Sequence, residues 1–332
     1  MLDEITVPLQ RFTVVTGVSG SGKSTFCREV LFENLSRRLK DAQAPLAGTD
    51  QLTGFENVGR VLEVDQTPIG KNSRSCPATY IGIMTAIRDL YAATNEAQAR
   101  GYDASRFSFN KAVGACPVCA GQGLRTVEMN FLPDVKVLCE ACAGKRFNPE
   151  TLEVLWRGKS IGDVLEMEID EAVDFFASMP SIAYPLKLMQ DVGLGYLTLG
   201  QPSPTLSGGE AQRLKLVTEL AKVRTDGSFA ARAPHTLYVL DEPTVGLHMT
   251  DVDRLSKVLS RLVDAGSTVV VIEHNLDIAA DADWIIDLGP EGGAKGGKVV
   301  AQGSPKMVAR KNTATGIVLR AFLAEHKPVK SA

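Results

Sequence analysis

Residues 17–24, GVSGSGKS, constrain the fold of this chain more than any other stretch. They follow a short β-rich run at 11–16 and precede residues 24–39, which have the pattern of a helix. Glycines let backbone N–H groups come close to phosphate oxygens, and a helix N-terminus adds a favourable electric field. The order of strand, glycine loop and helix therefore predicts a phosphate-binding loop in an α/β fold.

The polar side chains of this loop have distinct predicted roles. Lys23 neutralises charge on the β- and γ-phosphates of ATP, and Ser24 supplies a hydroxyl to Mg²⁺. An ordinary glycine-rich turn would explain the glycines but not the GKS sequence at the start of a helix. The residues predicted to bind the nucleotide and its metal here are Gly17, Ser19, Gly20, Gly22, Lys23, Ser24 and Thr25.

Two continuous apolar runs, TLYVL at 236–240 and TVVVI at 268–272, have the length and composition of buried parallel strands. The stretch between them, 251–265, reads as a helix and completes a strand–helix–strand unit. Charged residues follow both runs, as expected where parallel strands end at an active site.

The polar residues after these runs suit phosphate chemistry. Asp241 can hold Mg²⁺ through water, and Glu242 is positioned to polarise the water that attacks the γ-phosphate. A solvated acidic pair after a strand is common, but it is less expected beside a phosphate loop. His274 would lie near the γ-phosphate, although a histidine after a strand is more often structural. Gln66 could equally be a turn residue.

Residues 206–213, LSGGEAQR, suit a helix start that meets the phosphates of a nucleotide bound elsewhere. The Ser207 hydroxyl and the backbone N–H groups of Gly208 and Gly209 would form an anion site. Lys23 already serves its own loop, so this second site is predicted to close over ATP held by a partner half. A serine-capped helix is the plain alternative. Together the motifs indicate an ATPase whose two active sites form between two ATP-binding halves.

Four of the six cysteines form two CxxC pairs separated by nineteen residues: Cys116 with Cys119, and Cys139 with Cys142. This spacing matches a structural zinc site, and without an export signal it favours metal over disulfides. Four thiolates leave no open position, so the predicted Zn²⁺ is structural. Its binding would contribute on the order of 10–16 kcal/mol to folding a segment with few large apolar residues.

The whole chain is slightly acidic, with a net charge of −3, so any nucleic-acid surface must be local. Between 100 and 147 there are seven basic and four acidic residues, a balance that could neutralise backbone phosphates or could simply be a solvated surface. The candidate nucleic-acid contacts are Lys111, Arg125, Lys136, Lys145 and Arg146.

The 332 residues are 44% hydrophobic, enough for more than one packed domain. No apolar run approaches the roughly 20 residues that span a bilayer, and the N-terminus does not read as a signal peptide, so we expect a cytoplasmic protein with no membrane partner. The predicted domains are an ATP-binding domain at 1–70 and 201–325, a helical insertion at 71–200, and a disordered tail at 326–332. The insertion contains predicted helices at 79–99 and 161–179 and a zinc module at 114–147.

The chain resembles the C-terminal half of the UvrA family, the damage-sensing ATPases of the bacterial excinuclease ABC complex. The resemblance rests on VTGVSGSGKST from 15, VDQTPIGKNSRSCPATY from 64, CEACAGKRFNPETLEV from 139, TLSGGEAQRLKL from 205, LDEPTVGLH from 240, and IEHNLD with ADWIIDLGPEGG up to 293. It implies an α/β ABC-type P-loop ATPase core with an inserted helical signature domain that carries a four-cysteine zinc module. These phrases are more specific than those of ABC ATPases in general.

The resemblance also assigns roles. Gln66 matches the Q-loop glutamine that contacts Mg²⁺ and the attacking water, Glu242 the catalytic glutamate, and His274 the switch histidine. In that family ATP binding and hydrolysis govern dimer state and binding to damaged double-stranded DNA in nucleotide excision repair. Such a protein hands lesions to a second protein of the repair complex and does not itself cut. It would need a second ATP-binding half, either an N-terminal half or another copy of itself.

Some residues depart from the family pattern. Val245 stands where threonine is usual, and Ala115 stands where a basic residue usually precedes the first cysteine. These differences also suit a divergent paralogue that gives tolerance to DNA-intercalating drugs. A regulatory fragment that binds nucleotide without hydrolysis is a further alternative. A transporter ATPase is disfavoured, since the zinc insertion replaces a membrane-coupling subdomain.

Overall fold

The computed structural model describes residues 4–127, 129, 135–222 and 234–325. The strands are β1 (Phe12–Gly17), β2 (Arg60–Val64), β3 (Leu124–Val127), β4 (Val135–Leu138), β5 (Leu155–Trp156), β6 (Lys159–Ser160), β7 (Thr236–Asp241), β8 (Thr268–Ile272), β9 (Trp284–Gly289) and β10 (Lys298–Gly303). The α-helices are α1 (Glu33–Arg38), α2 (Pro77–Tyr80), α3 (Ile83–Ala92), α4 (Asn95–Ala99), α5 (Pro149–Leu152), α6 (Ile161–Glu166), α7 (Ile169–Phe175), α8 (Pro180–Asp191), α9 (Gly208–Leu220), α10 (Met249–Asp264), α11 (Leu276–Asp281), α12 (Pro305–Val308) and α13 (Ala314–Glu325). A π-helical stretch, Thr25–Phe32, runs directly into α1.

The chain divides into two units. The sheet unit combines Met1–Gln66 with Lys222–Ala332, and the helical unit is Thr67–Ala221. These bounds differ from the predicted ones at residues 67–70 and 201–221, which fall in the helical unit. Within residues 201–221, α9 packs against α8. The predicted disordered tail at 326–332 lies outside the described residues.

In the described part of the sheet unit, six strands form a sheet in the order β10-β9-β1-β8-β7-β2. The strands from β9 to β2 pair in parallel, and β10 pairs with β9 in the antiparallel direction. The parallel α/β fold predicted from the two apolar runs is therefore confirmed. The register places Ile272 beside both Val15 and Asp241, so β1, β8 and β7 end at the same edge.

The core of the sheet unit explains why its strands are apolar throughout. All of β8 is buried because the sheet is covered on both faces, and Val270 and Ile272 pack with Phe26 and Leu35 of the helix after β1. Burying each such side chain contributes about 1.5–3 kcal/mol. Helix α10 turns one apolar stripe toward the sheet and keeps charged residues on its other face.

The helical unit contains shorter helices than the sequence predicts. Predicted helix 79–99 is divided into α2, α3 and α4, because Gly82 adopts a left-handed backbone and Thr94 caps a new helix by accepting a bond from the Ala97 amide. Predicted helix 161–179 is divided into α6 and α7 by the extended backbone of Met167. The unit's interior includes Tyr91, whose hydroxyl donates to the Lys159 carbonyl at 2.7 Å.

The described residues of the helical unit also form two antiparallel strand pairs. Strands β3 and β4 pair with Leu124 opposite Leu138, and β5 pairs with β6. Across the described ranges of the chain, no helix is both long enough and apolar enough to cross a membrane.

Gly17 is the position where this sheet tolerates a side chain least. Its φ is +134°, and a Cβ there would lie 2.0 Å from the Leu288 carbonyl oxygen on β9. We expect Gly17→Ala to lower the free energy of unfolding by about 3 kcal/mol or more, through clash and backbone strain together. Urea unfolding followed by circular dichroism measures this change.

The control is Gly266→Ala, between α10 and β8. Gly266 also has a positive φ, +90°, but no atom lies within 4 Å of the place that a Cβ would occupy. Backbone strain alone should then cost about 1–2 kcal/mol. Equal losses in the two variants would contradict the close approach of β1 and β9.

Candidate nucleotide site and metal centre

The predicted phosphate loop joins β1 to the helix that begins at Thr25. Lys23 is buried, and its Nζ donates to the carbonyl oxygens of Gly17 at 3.0 Å and Val18 at 2.9 Å. Burial lowers the pKa of Lys23, while the nearby carboxylates of Glu242 and Asp241 oppose that change. The loop therefore curves around the ammonium group of Lys23.

A second glycine-rich turn supports this loop. The amide of Gly293 donates to the Gly20 carbonyl at 3.1 Å, and that of Gly297 donates to the Ser21 carbonyl at 3.0 Å. These bonds hold the loop from the side of β9, because the turn follows that strand. Sequence reasoning assigned no role to this turn, although its repeated glycines were a visible signal.

Four predicted catalytic and metal-binding groups meet at the edge where β7 and β8 end. The Gln66 side-chain amide lies 3.4 Å from the Asp241 carbonyl oxygen, to which it donates. His274 Nε2 lies 3.6 Å from Glu242 Oε1. Glu242 has a φ of +45°, and its amide donates to the Ile272 carbonyl at 2.9 Å. An uncommon backbone at this residue turns the chain immediately after the strand.

Two charged residues at this edge were missed in the sequence. Arg28, one turn after Ser24, pairs with Glu63 at 2.5 Å and with the Asp241 carboxylate at 3.3 Å. Glu273 is buried directly before His274 and accepts hydrogen bonds from both loops at this edge. The available signal for Glu273 was a charged residue at the end of a fully apolar strand.

The structure places Ser207, the serine of the LSGGEAQR motif (the signature motif), in the helical unit, immediately before α9. The Ser207 hydroxyl accepts from the Glu210 amide at 3.3 Å, and the Glu210 carboxylate accepts from the Ser207 amide at 2.7 Å. The Tyr196 hydroxyl donates to the same carboxylate at 2.5 Å. Ser207 remains exposed, and Gly208 and Gly209 follow it as the first residues of the helix.

The four CxxC cysteines come together as predicted, with all sulfur atoms within 4.8 Å of one another. Cys116 and Cys139 lie 3.9 Å apart at their sulfurs, and Cys119 and Cys142 lie 3.7 Å apart. A tetrahedron with Zn–S bonds of about 2.3 Å has edges of about 3.8 Å, so the donor set fits a metal ion.

The backbone around each CxxC pair has the same turn. Ala120 and Gly121 after the first pair, and Ala143 and Gly144 after the second, all have positive φ angles. The Gly123 amide donates to Cys119 Sγ at 3.3 Å. Burial raises the pKa of Cys142 to about 12 and also raises that of Cys119, so a cation would be needed to hold these groups as thiolates at neutral pH.

The candidate nucleic-acid residues have different environments. Lys111, Arg125 and Lys136 are exposed, the last two on β3 and β4. Lys145 forms an ion pair with Asp163 at 2.6 Å.

The prediction for Arg146 was wrong, because its side chain is only 4% exposed. Its guanidinium donates to the carbonyl oxygens of Ser73 at 2.8 Å and Gly200 at 2.6 Å. It also lies over the Phe109 ring. Arg146 therefore holds the helical unit together and does not face a nucleic acid.

The fold and this edge of the sheet define an ABC-type P-loop ATPase core that carries a helical insertion with a four-cysteine metal site. No protein-family model matches the chain. It is 57% identical to UvrABC system protein A of Thermus thermophilus over 318 residues, which are 96% of this chain and 32% of that protein. It is 53% identical to UvrABC system protein A of Bacillus subtilis over 321 residues, 96% of this chain and 33% of that protein.

A solved relative agrees with these sequence matches. The crystal structure of UvrA2 from Deinococcus radiodurans matches with a TM-score of 0.83 and 48% identity over 95% of this chain and 37% of that one. The chain is thus similar over nearly its whole length to UvrABC system protein A, and it spans about a third of the length of the relatives that it matches.

Replacing Cys139 tests the metal site. Because Cys139→Ser removes one of four sulfur donors, we expect bound zinc to fall from about one equivalent per chain to near zero. Elemental analysis after dialysis measures the metal content. Cys76→Ser is the matched control, since Cys76 is also buried in the helical unit but lies beside Thr79. If both variants keep their zinc, the four-sulfur site is not the binding site.

Proposed function

We propose that this chain is one ABC-type ATPase half of a UvrA-type protein that recognises DNA damage in nucleotide excision repair, with ATP hydrolysed at sites shared with a second half. ATP binding and hydrolysis would control dimerisation and DNA binding, and the chain would not cut DNA. The observation that carries this proposal is the meeting of Gln66, Asp241, Glu242 and His274 beside Lys23 in the sheet unit.

The residues present fit ATP and Mg²⁺. Ser21 Oγ is buried without a described hydrogen-bond partner, and Lys23 is held by carbonyl oxygens that a phosphate would replace as its partner. Lys23, Ser24, Thr25 and the loop amides would hold the phosphates. Ser24, Gln66 and Asp241 would hold Mg²⁺, which neutralises phosphate charge when bound. Arg28 would have to release Asp241 in that state.

Glu242 is proposed as the general base. Its carboxylate is less than half exposed and faces the His274 ring, which would keep it directed toward the water that attacks the γ-phosphate. His274 would then carry charge or a hydrogen bond near the transferred phosphoryl group. The positive φ of Glu242 supports this role, because residues with strained backbone conformations cluster at active sites.

The second face of each ATP site would come from another ATP-binding half, either in a longer chain or in a second copy. Glu210 holds Ser207 at the helix start through two hydrogen bonds, so the serine and the amides of Gly208 and Gly209 are pre-arranged for an anion. Lys23 already serves the chain's own phosphate loop, so we propose that Ser207, Gly208 and Gly209 act on a nucleotide held by the partner half.

We propose that the four-cysteine site holds one structural Zn²⁺. The donor set is fully sulfur and buried, which leaves no position for a substrate.

The neighbouring β3–β4 hairpin offers the exposed side chains of Arg125 and Lys136 to double-stranded, damaged DNA, with Lys111 as a further contact. Other excision-repair proteins would be partners of the assembled protein, and its proposed location is the cytoplasm.

Glu242→Gln tests the ATPase proposal. Because the amide cannot accept a proton from water, we expect kcat for ATP to fall about 100-fold or more while ATP still binds. Steady-state phosphate release and binding of a fluorescent ATP analogue measure the two quantities. Glu33→Gln is the control, since Glu33 is an exposed carboxylate on α1 paired with Arg37. Unchanged turnover in Glu242→Gln would remove this residue as the base.

The DNA proposal is tested by the double variant Arg125→Ala with Lys136→Ala. Removing two phosphate contacts should weaken binding and reduce the slope of log affinity against log salt by about 2. The control, Arg254→Ala with Lys257→Ala, removes equal charge from α10. Binding to intact and lesion-bearing duplexes is measured in the Glu242→Gln background with ATP and Mg²⁺. Equal slopes in the two double variants would exclude the hairpin as the contact.

A further inference from the structure

Glu273 lies at the carboxyl end of β8, the strand between β1 and β7. Its amide donates to the Val15 carbonyl at 3.1 Å, which continues the pairing of β8 with β1 beyond the end of the strand. Its side chain is 2% exposed. A buried carboxylate is costly unless it is well hydrogen-bonded, so its partners indicate why it is there.

Both carboxylate oxygens of Glu273 are hydrogen-bonded, and each serves a different loop. Oε1 accepts from the Thr244 amide at 2.9 Å and from the Thr244 hydroxyl at 2.5 Å. Oε2 accepts from the amides of His274 at 2.9 Å and Asn275 at 3.1 Å. Among the described residues no cation pairs with Glu273, so amide and hydroxyl donors alone stabilise its charge.

The two bonds from Thr244 join the two segments that carry the proposed catalytic side chains, and the bonds from the His274 and Asn275 amides fix the Glu273 carboxylate to its own loop. Thr244 is two residues after Glu242 in the turn that follows β7, and His274 begins the loop that follows β8. The Glu242 and His274 side chains are 3.6 Å apart across these segments. Because the two segments are separate in sequence, their relative position depends on contacts such as these.

We propose that Glu273 is a positioning residue for ATP hydrolysis. Its carboxylate holds the turn after β7 and the loop after β8 in one arrangement, and so keeps Glu242 facing His274. The inference rests on the proposed ATPase function of this site. A carboxylate is required because both of its oxygens accept hydrogen bonds, whereas a glutamine presents an N–H group to one pair of donors.

The test compares Glu273→Gln with wild type in two measurements. In ATP hydrolysis we expect kcat to fall about ten-fold or more, with KM and the binding of a fluorescent ATP analogue changed less than about two-fold. In amide hydrogen exchange without nucleotide, we expect faster exchange in one or both of the peptides that span 242–247 and 273–277. A stabilising role alone would shift the unfolding midpoint without separating kcat from KM.

Asp283→Asn is the matched control. The Asp283 carboxylate accepts a hydrogen bond from the Phe12 amide at 2.9 Å, at the opposite end of β1 from the candidate site. Asp283→Asn makes the same change from carboxylate to amide as Glu273→Gln, in the same unit. We expect its kcat, and the exchange of both peptides, to match those of wild type.

Thr244 provides a rescue test of the link. Thr244→Val removes the hydroxyl that donates to Glu273, and Thr244→Ser keeps it. We expect the valine variant to lose part of kcat and the serine variant to retain it. In the double variant with Glu273→Gln, the valine change should add little, because the bond that it removes depends on Glu273.

The outcomes separate this inference from the proposed function. Unchanged exchange in both peptides of Glu273→Gln would overturn the link, whatever the turnover. Faster exchange together with a wild-type kcat would overturn the proposal that this link matters for ATP hydrolysis. If wild type itself hydrolyses no ATP, the proposed function fails, and the exchange data alone decide whether Glu273 joins the two loops.

Discussion

The parallel pairing of β8 with β1 on one side and with β7 on the other determines where the candidate catalytic groups lie. Ile272 is level with both Val15 and Asp241, so the phosphate loop, the acidic pair and His274 follow strands that end together. Small differences in register would move these groups by about 3.3 Å per residue, more than a hydrogen bond tolerates. The buried aliphatic residues of β8 keep that register, because a slipped strand would lose its packing on both faces.

The helical unit has a buried apolar interior of its own, but its cysteine-containing segment is organised differently. The four CxxC cysteines are buried together there, and a metal ion bound by them would stabilise the segment. Arg146 extends this organisation, since its buried guanidinium connects the segment to the Ser73 and Gly200 carbonyls. A basic residue next to a cysteine knuckle can therefore be structural, and local charge balance does not distinguish this role from nucleic-acid contact.

Much of the sheet could be predicted, because its strands are continuous apolar runs followed by charged residues. The run at 268–272 matches β8 residue for residue, and the four cysteines cluster as their spacing indicates. The ends of the helices were harder to predict from the sequence. Gly82 and Met167 interrupt helices although the apolar periodicity continues past them. Those interruptions depend on backbone conformations that a helical periodicity does not record. The roles of the individual site residues remain predictions.

The sequence alone determined the chemistry of each short segment: a glycine loop with Lys23, an acidic pair after a strand, a serine before two glycines, and two CxxC pairs. Each of these motifs can be recognised in the sequence because its residues lie within a few positions of one another, so that local backbone geometry alone brings their chemical groups together. Only the tertiary structure decided which segments meet. The bonds from Thr244 to Glu273, the pairing of Arg28 with Asp241 and the burial of Arg146 all join residues distant in sequence. They depend on strand order and packing, which the spacing of residues along the chain does not encode.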